Sequence, residues 1–414
     1  VALFHSTTSL EGIFKRVYDN KVRFIYPNGV RLIKDIPYRG GDKRPGESFN
    51  AAITLVFENG FTYMAPADGV ITLEAAAVGL TSRANVDGFQ VILRSQIDYE
   101  SIAKASTAGP RAFVQSTKHL VTNMANSFRK RQEIEGFYGR ADLGVVSAVA
   151  TTKITFTTAT YAPGIWSGTE DGLIEVFDTT LATLRGAFTI SSVNLGDKTL
   201  TATTDMAAGG VVATDRVFWK TALVAGPTHK SAIGVHEILN TTSGTVFGIN
   251  VSNTLWKGNV VSGGSVALTM DVVQEAVARI TEKGGGEGRL CLYVSNDTWV
   301  DLIGDLEALK RFTKADGTAR YNAGAEAITF WTQSGPVEIK PSIFVKGGFA
   351  YLLDLGSWSR IGAQDFAFGD PAERQVFHRL EEKSGYDARA YANQSMFCDA
   401  IGHNALINNI VNNT

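Results

Sequence analysis

The sequence predicts an α+β chain with a small all-β domain set into it, and three observations carry that prediction. Residues 109–136, GPRAFVQSTKHLVTNMANSFRKRQEIEG, hold one long amphipathic helical pattern. Residues 141–222 shift abruptly to Thr, Val and Gly in short strand-like runs. Beyond Gly226 and Pro227, helix and strand patterns alternate.

Taken in order, residues 1–44 show only short apolar pieces, at 22–26 and 30–33, on either side of a Pro27-Asn28-Gly29 turn. They hold too few consecutive apolar residues to bury themselves, so an arm laid over other structure is expected. Residues 45–101 read as a long hairpin. Strands at 52–58 and 61–64 flank Asn59-Gly60, a favoured two-residue turn, and further strands are expected at 70–73 and 89–93. A lone hairpin is marginal in water and needs a surface to lie on. In the helix that follows, Phe113, Leu120, Val121, Met124 and Phe128 share a face. Pro110 suits a first turn and Gly136 a stop, and the span between them is about 38 Å at 1.5 Å per residue.

Within 141–222, strands are expected at 153–158, 173–177, 187–192, 199–203 and 216–220, enough for a separately folding barrel or sandwich. Downstream, Thr269 is a candidate N-cap for a helix in which Val273, Val277 and Ile280 share a face and after which Gly284 is the stop. Residues 290–294 form an apolar strand, and Ser295 or Asn296 caps a helix carrying Trp299, Leu302, Ile303 and Leu306. Strands at 328–332, 337–340, 350–353, 385–398 and 405–411 complete the pattern.

The 414 residues are 44% hydrophobic and 19% charged with 42 glycines, a globular, loop-rich composition. No apolar run is long enough for a membrane-spanning helix, and the first residues lack the basic-then-apolar signature of a signal peptide. Cys291 and Cys398 stand too far apart to suggest a disulfide framework. Net charge is −2 overall but alternates along the chain: +5 over 1–44, −5 over 45–103, +5 over 104–140, −3 over 141–222 and −4 thereafter. Blocks of alternating sign suit segments that meet one another.

No motif carries chemistry. Gly284–Gly286 is followed by no Lys-Ser/Thr pair and sits after a helix, so it is not a phosphate loop. The histidines have no metal-ligand spacing, and no serine sits in a nucleophile elbow. Catalytic, cofactor and metal sites are all expected to be absent, and a structural rather than enzymatic role is expected.

Two passages, GVHEILNTTSGTVFGIN (234–250) and SGYDARAYANQSMFCDAIGHNALINNIV (384–411), together with the order of arm, hairpin, rod helix, α/β region and closing strands, resemble the major capsid protein of tailed double-stranded DNA bacteriophages. The resemblance covers the chain apart from 141–222 and implies a Hong Kong 97-type shell fold. In its terms 1–44 is the N-terminal arm, 45–101 the E-loop, 102–140 the peripheral domain with its spine helix, and 141–222 an inserted β-domain. Residues 223–368 are then the axial domain and 369–414 the returning peripheral strands. It implies self-assembly through hexamers and pentamers into an icosahedral shell around double-stranded DNA bound without sequence specificity. It further implies a separate scaffolding protein or a cleaved upstream segment, a portal protein, room for a decoration protein, no membrane, and a virion location after assembly in the host cytoplasm.

An encapsulin-type nanocompartment subunit is the alternative within that fold; a β-rich receptor- or glycan-binding protein is the alternative from another class. The crosslinking members of the family join an E-loop lysine to a neighbour, but here no lysine lies between Lys43 and Lys104. Candidate intersubunit contacts are instead the loop acids Glu47, Glu58, Glu74 and Asp87 against Arg111, Lys118, Arg129, Lys130 and Arg131 of a neighbour's helix. The acidic inserted domain is expected on the outer face, away from DNA.

Overall fold

The computed structural model describes residues 29–39, 48–66, 69–100, 116–226, 228–309, 328–368, 377–381 and 384–413. The apolar piece expected at 22–26, the turn at residues 27–28, Pro110, Phe113, Arg111 and Glu47 lie outside them.

The chain enters the core earlier than an arm should. Val30, Leu32 and Ile36 are buried around a single helical turn, α1 (Leu32–Asp35), where an extended piece was expected. Residues 29–39 therefore belong to the subunit's own core.

The hairpin that follows is longer than its sequence suggests. β1 (Phe49–Thr54) pairs antiparallel with β2 (Thr81–Val86), Phe49 opposite Val86 and Thr54 opposite Thr81. Looser bonds carry the arms outward, from Leu55 and Val56 to Leu80 and from Asn59 to Ala77. Asn59-Gly60 is thus no turn, and residues 61–64 and 70–73 form no strands. The register is set at the root, where Ala84 and Val86 are buried and Phe49 meets Phe397 edge-on at 5.7 Å. Core burial at the root overrides a local turn preference at the tip.

β3 (Phe89–Asp98) leads to the rod helix α2 (Ser116–Tyr138). Met124 and Phe128 are buried against the Ala388, Ala390 and Ala392 face of a sheet. The helix runs through Gly136, where a Cβ would stand 2.8 Å from Met396 Cε, so this glycine serves close packing and not termination. The stop comes at Tyr138, with Arg140 at φ 66°.

The inserted segment is a closed barrel. β4 (Gly144–Ala150), β5 (Lys153–Phe156), α3 (Pro163–Trp166), β6 (Leu173–Phe177), β7 (Leu184–Asn194), β8 (Thr199–Ala202) and β9 (Arg216–Trp219) follow in sequence, and the strands close in the order β4-β5-β8-β7-β6-β9. Closure removes the exposed edges that short strands otherwise present. Trp166 is fully buried, stacked on Phe156 at 4.6 Å and tilted against Trp219 at 5.9 Å. The barrel is not walled off from its host: its interior and the core around Leu32, Phe137 and Tyr351 are one continuous apolar cluster. The loop from Thr158 to Gly164 is bonded to residues 343–348, Gly164 N–H to Ile343 O at 2.9 Å and Gly348 N–H to Ala159 O at 2.9 Å. Residues 141–222 thus fold onto their host, against the expectation of a separate domain.

Small pairs β10 (Leu223–Val224) with β11 (Thr228–His229) and β12 (Thr245–Val246) with β13 (Ile249–Asn250) flank α4 (Val235–Asn240). Then come β14 (Asn259–Val266), α5 (Met270–Glu282), β15 (Leu290–Val294), α6 (Asn296–Leu309), β16 (Ile328–Thr332), β17 (Gly335–Pro341), β18 (Ala350–Asp354), β19 (Trp358–Phe368), β20 (Phe377–Arg379), β21 (Gly385–Cys398) and β22 (Ala405–Ile410). Val273, Val277 and Ile280 of α5 are buried, and Ser295 Oγ caps α6 by accepting from Thr298 N–H at 3.1 Å. Six strands form one sheet in the order β14-β22-β18-β15-β17-β16; in a second sheet β21 pairs with β19, β20 and β3. The limit expected at 368/369 cuts across both. β19 lies in the sheet packed on α2, whereas the last strand, β22, lies inside the six-stranded sheet.

Candidate assembly surface

Among the described residues, exposed large apolar side chains concentrate on the hairpin beyond β1 and β2. Phe57 is 78% exposed, Tyr63 93% and Val70 105%, and Phe61, Met64, Leu73 and Val78 are exposed with them. Only two described acids, Glu58 and Glu74, interrupt this surface, and both are exposed. Contiguous apolar exposure on this scale marks an interaction site.

The base from which the hairpin springs is rigid. Buried Glu133 on α2 accepts three backbone N–H groups, from Arg31 at 2.9 Å, Leu32 at 2.8 Å and Ile33 at 2.9 Å. Burial pushes its carboxyl up to about 7 against the pull of those three bonds. Asp35, at the end of the same turn, accepts from Tyr293 Oη at 2.5 Å and Lys340 Nζ at 2.8 Å. At the foot of α2, Lys346 Nζ donates to Asp142 at 3.0 Å, and Tyr138 Oη accepts from Lys346 N–H at 2.8 Å. Beside them His236 is held neutral, its value pushed down by burial to about 4. Among the described residues no group of three His, Cys, Asp or Glu is placed to hold a metal.

A rigid subunit with a projecting apolar hairpin has structural counterparts. No family model matches the sequence, and no curated protein matches it. Among solved structures the chain is similar to the capsid of cyanophage A-1(L), at 11% identity and a TM-score of 0.55, over 98% of this chain and 99% of that one. It is also similar to the capsid of a native GTA particle, at 11% identity and a TM-score of 0.51, over 98% and 99% of the two chains. The chain has the Hong Kong 97-type shell fold.

The sequence resemblance expects the E-loop in this hairpin and the spine helix in α2. Of the residues singled out by sequence, Glu58, Glu74, Asp87 and Arg129 are exposed. Glu47 and Arg111 lie outside the described residues, as does the side chain of Lys118. Two of the helix cations are committed within the chain, contrary to a solvated cationic face. Lys130 is 9% exposed and donates to Ser167 O at the end of α3. The Arg131 guanidinium lies 3.8 Å over the Trp219 ring. Burial lowers Lys130 to about 8 and Arg131 to about 10. These two side chains fasten the barrel to the spine helix.

Sequence reading weighted the loop's charges and missed its apolar surface. The signal was present in VFENGFTYM (56–64), where five large apolar residues accompany one charge. Glu133 was also missed, because in RKRQEIEG (129–136) an acid among charged neighbours reads as part of an exposed helix face.

Proposed function

We propose that this chain is the major capsid protein of a tailed double-stranded DNA phage, assembling through hexamers and pentamers into a closed icosahedral shell. The observation that carries this is the E-loop, an apolar hairpin held out from a rigid base. It is stable in water only when a second copy covers it. Full burial of a large apolar side chain contributes about 1.5–3 kcal/mol, whereas an exposed ion pair contributes about 0–1 kcal/mol. The E-loop therefore docks chiefly through Phe57, Phe61 and Tyr63, while Glu58, Glu74, Asp87 and Arg129 tune orientation. The shell fold supports a structural role without catalysis, and the near-neutral net charge suits a container that releases its DNA. Scaffolding and portal proteins are its partners in assembly, the host cytoplasm is where it assembles, and the barrel, net −3 over 141–222, faces outward.

Electron microscopy of the full chain, expressed alone and with its neighbouring genes, tests the reading. Closed shells of uniform size are expected, filled with DNA when particles are recovered from lysed host cells. A soluble monomer at every concentration, or shells packed with a protein cargo, would overturn it.

A further inference from the structure

Residues 61–64 have the sequence of a strand yet form none in the subunit, and Phe61, Tyr63 and Met64 are exposed. A matching vacancy lies elsewhere on the same chain. β3 is ten residues long and bonds to β21 on one side only; alternate N–H and C=O groups of such a strand turn toward its free edge. No described backbone group bonds to that edge. Beside it runs a groove of about 510 Å³, with Phe128, Arg131 and Glu135 of α2 as its floor and Leu173 and Trp219 of the barrel as its far wall. Trp219 is 8% exposed, and its buried indole N–H has no acceptor among the described residues.

We propose that this groove receives residues 61–64 of a second copy, which adds as a strand to the free edge of β3. The inference rests on the shell reading and names the receptor for the E-loop. Three features select this occupant. No described backbone group bonds to the main chain of 61–64, so its N–H and C=O groups are open to pairing. Phe61 and Tyr63 share one face of a strand, which suits the apolar wall of Leu93, Phe128 and Leu173. Residues 56–80 contain three acids and no Lys or Arg, whereas Lys220, Lys230 and Arg131 line the groove. The inserted barrel is thus one wall of the docking site.

The test mixes full-length Thr62→Cys and Ile92→Cys variants, whose side chains share the sheet face away from α2, under mild oxidation, with Cys291 and Cys398 buried and silent. A disulfide-linked dimer is expected from the mixture and from neither variant alone, in whatever assembly forms. In parallel, Lys220→Glu with Lys230→Glu should raise the concentration needed for assembly at least tenfold, and Glu58→Lys with Glu74→Lys in the same chain should restore it. Closed particles without the mixed crosslink overturn the groove assignment and leave the shell reading standing. Equal crosslinking in a single variant, or charge reversals without effect, also overturn the groove. A chain monomeric at all concentrations overturns both readings.

Discussion

Replacing Glu133 by Ala removes the acceptor of three backbone N–H groups, from Arg31, Leu32 and Ile33. A buried donor left unsatisfied costs about 1–3 kcal/mol. The Leu32 bond is fully buried and the other two partly so, so water can reach those two after a small shift. The expected loss is about 3–5 kcal/mol, felt first as release of α1 from α2. Hydrogen exchange at those three amides is the direct assay: at 1.4 kcal/mol per power of ten, they should exchange roughly two to three powers of ten faster. Glu133→Gln should be milder, because its amide oxygen still accepts from Arg31 and Leu32 and only Ile33 then faces a second donor.

The two variants also separate charge from geometry. Glu133 has its folded value raised from 4.5 to about 7, so its contribution is fully present below about pH 4.5 and is lost as pH rises through 7. The Gln variant does not titrate there. Wild type should therefore lose about 3 kcal/mol relative to Gln between pH 4.5 and 8. Unchanged exchange at residues 31–33 in the Ala variant would refute the reasoning.

Three further outcomes are expected. Phe61→Asp with Tyr63→Asp should abolish assembly while leaving the melting of the monomer within about 0.5 kcal/mol, as for other exposed sites; light scattering and calorimetry on one sample decide it. Mature particles boiled in detergent should run as a single band near 44.5 kDa, since no lysine lies between Lys43 and Lys104; a ladder of multimers would contradict this. Trp166→Ala should cost about 3–5 kcal/mol, and a fragment of residues 141–222 should show no cooperative melting, because Trp166 belongs to a core shared with the host.

Continuous apolar or alternating runs bounded by turn residues were legible. β6, β15 and β21 lie where 173–177, 290–294 and 385–398 place them, because their burial follows directly from their own side chains; β16 lies at 328–332 as expected, although Trp331 is exposed. What was not legible depends on distant partners. Asn59-Gly60 is a strong local turn, yet Ala84 and Val86 set the register from the root. Gly136 reads as a stop, but the helix runs through it, with Met396 and Leu32 packed closely on it. Lys130 and Arg131 read as a basic surface until a barrel some 40 to 90 residues downstream covers them. Glu133 is the extreme case, since its partners lie about 100 residues upstream.

The position of β22 bears on when the subunit becomes competent to assemble. Ala405–Ile410 lies between β14 and β18, parallel to the first and antiparallel to the second, so these two strands have no direct contact until it arrives. On the ribosome, the hydrophobic hairpin emerges more than 300 residues before the strand that completes the six-stranded sheet. A nascent chain thus exposes its adhesive element early while the body that must bear it stays open. β22 acts as a timer, because only a chain that has reached it closes the six-stranded sheet. On the shell reading, a chain stopped before β22 brings its neighbours an open body and not a closed one.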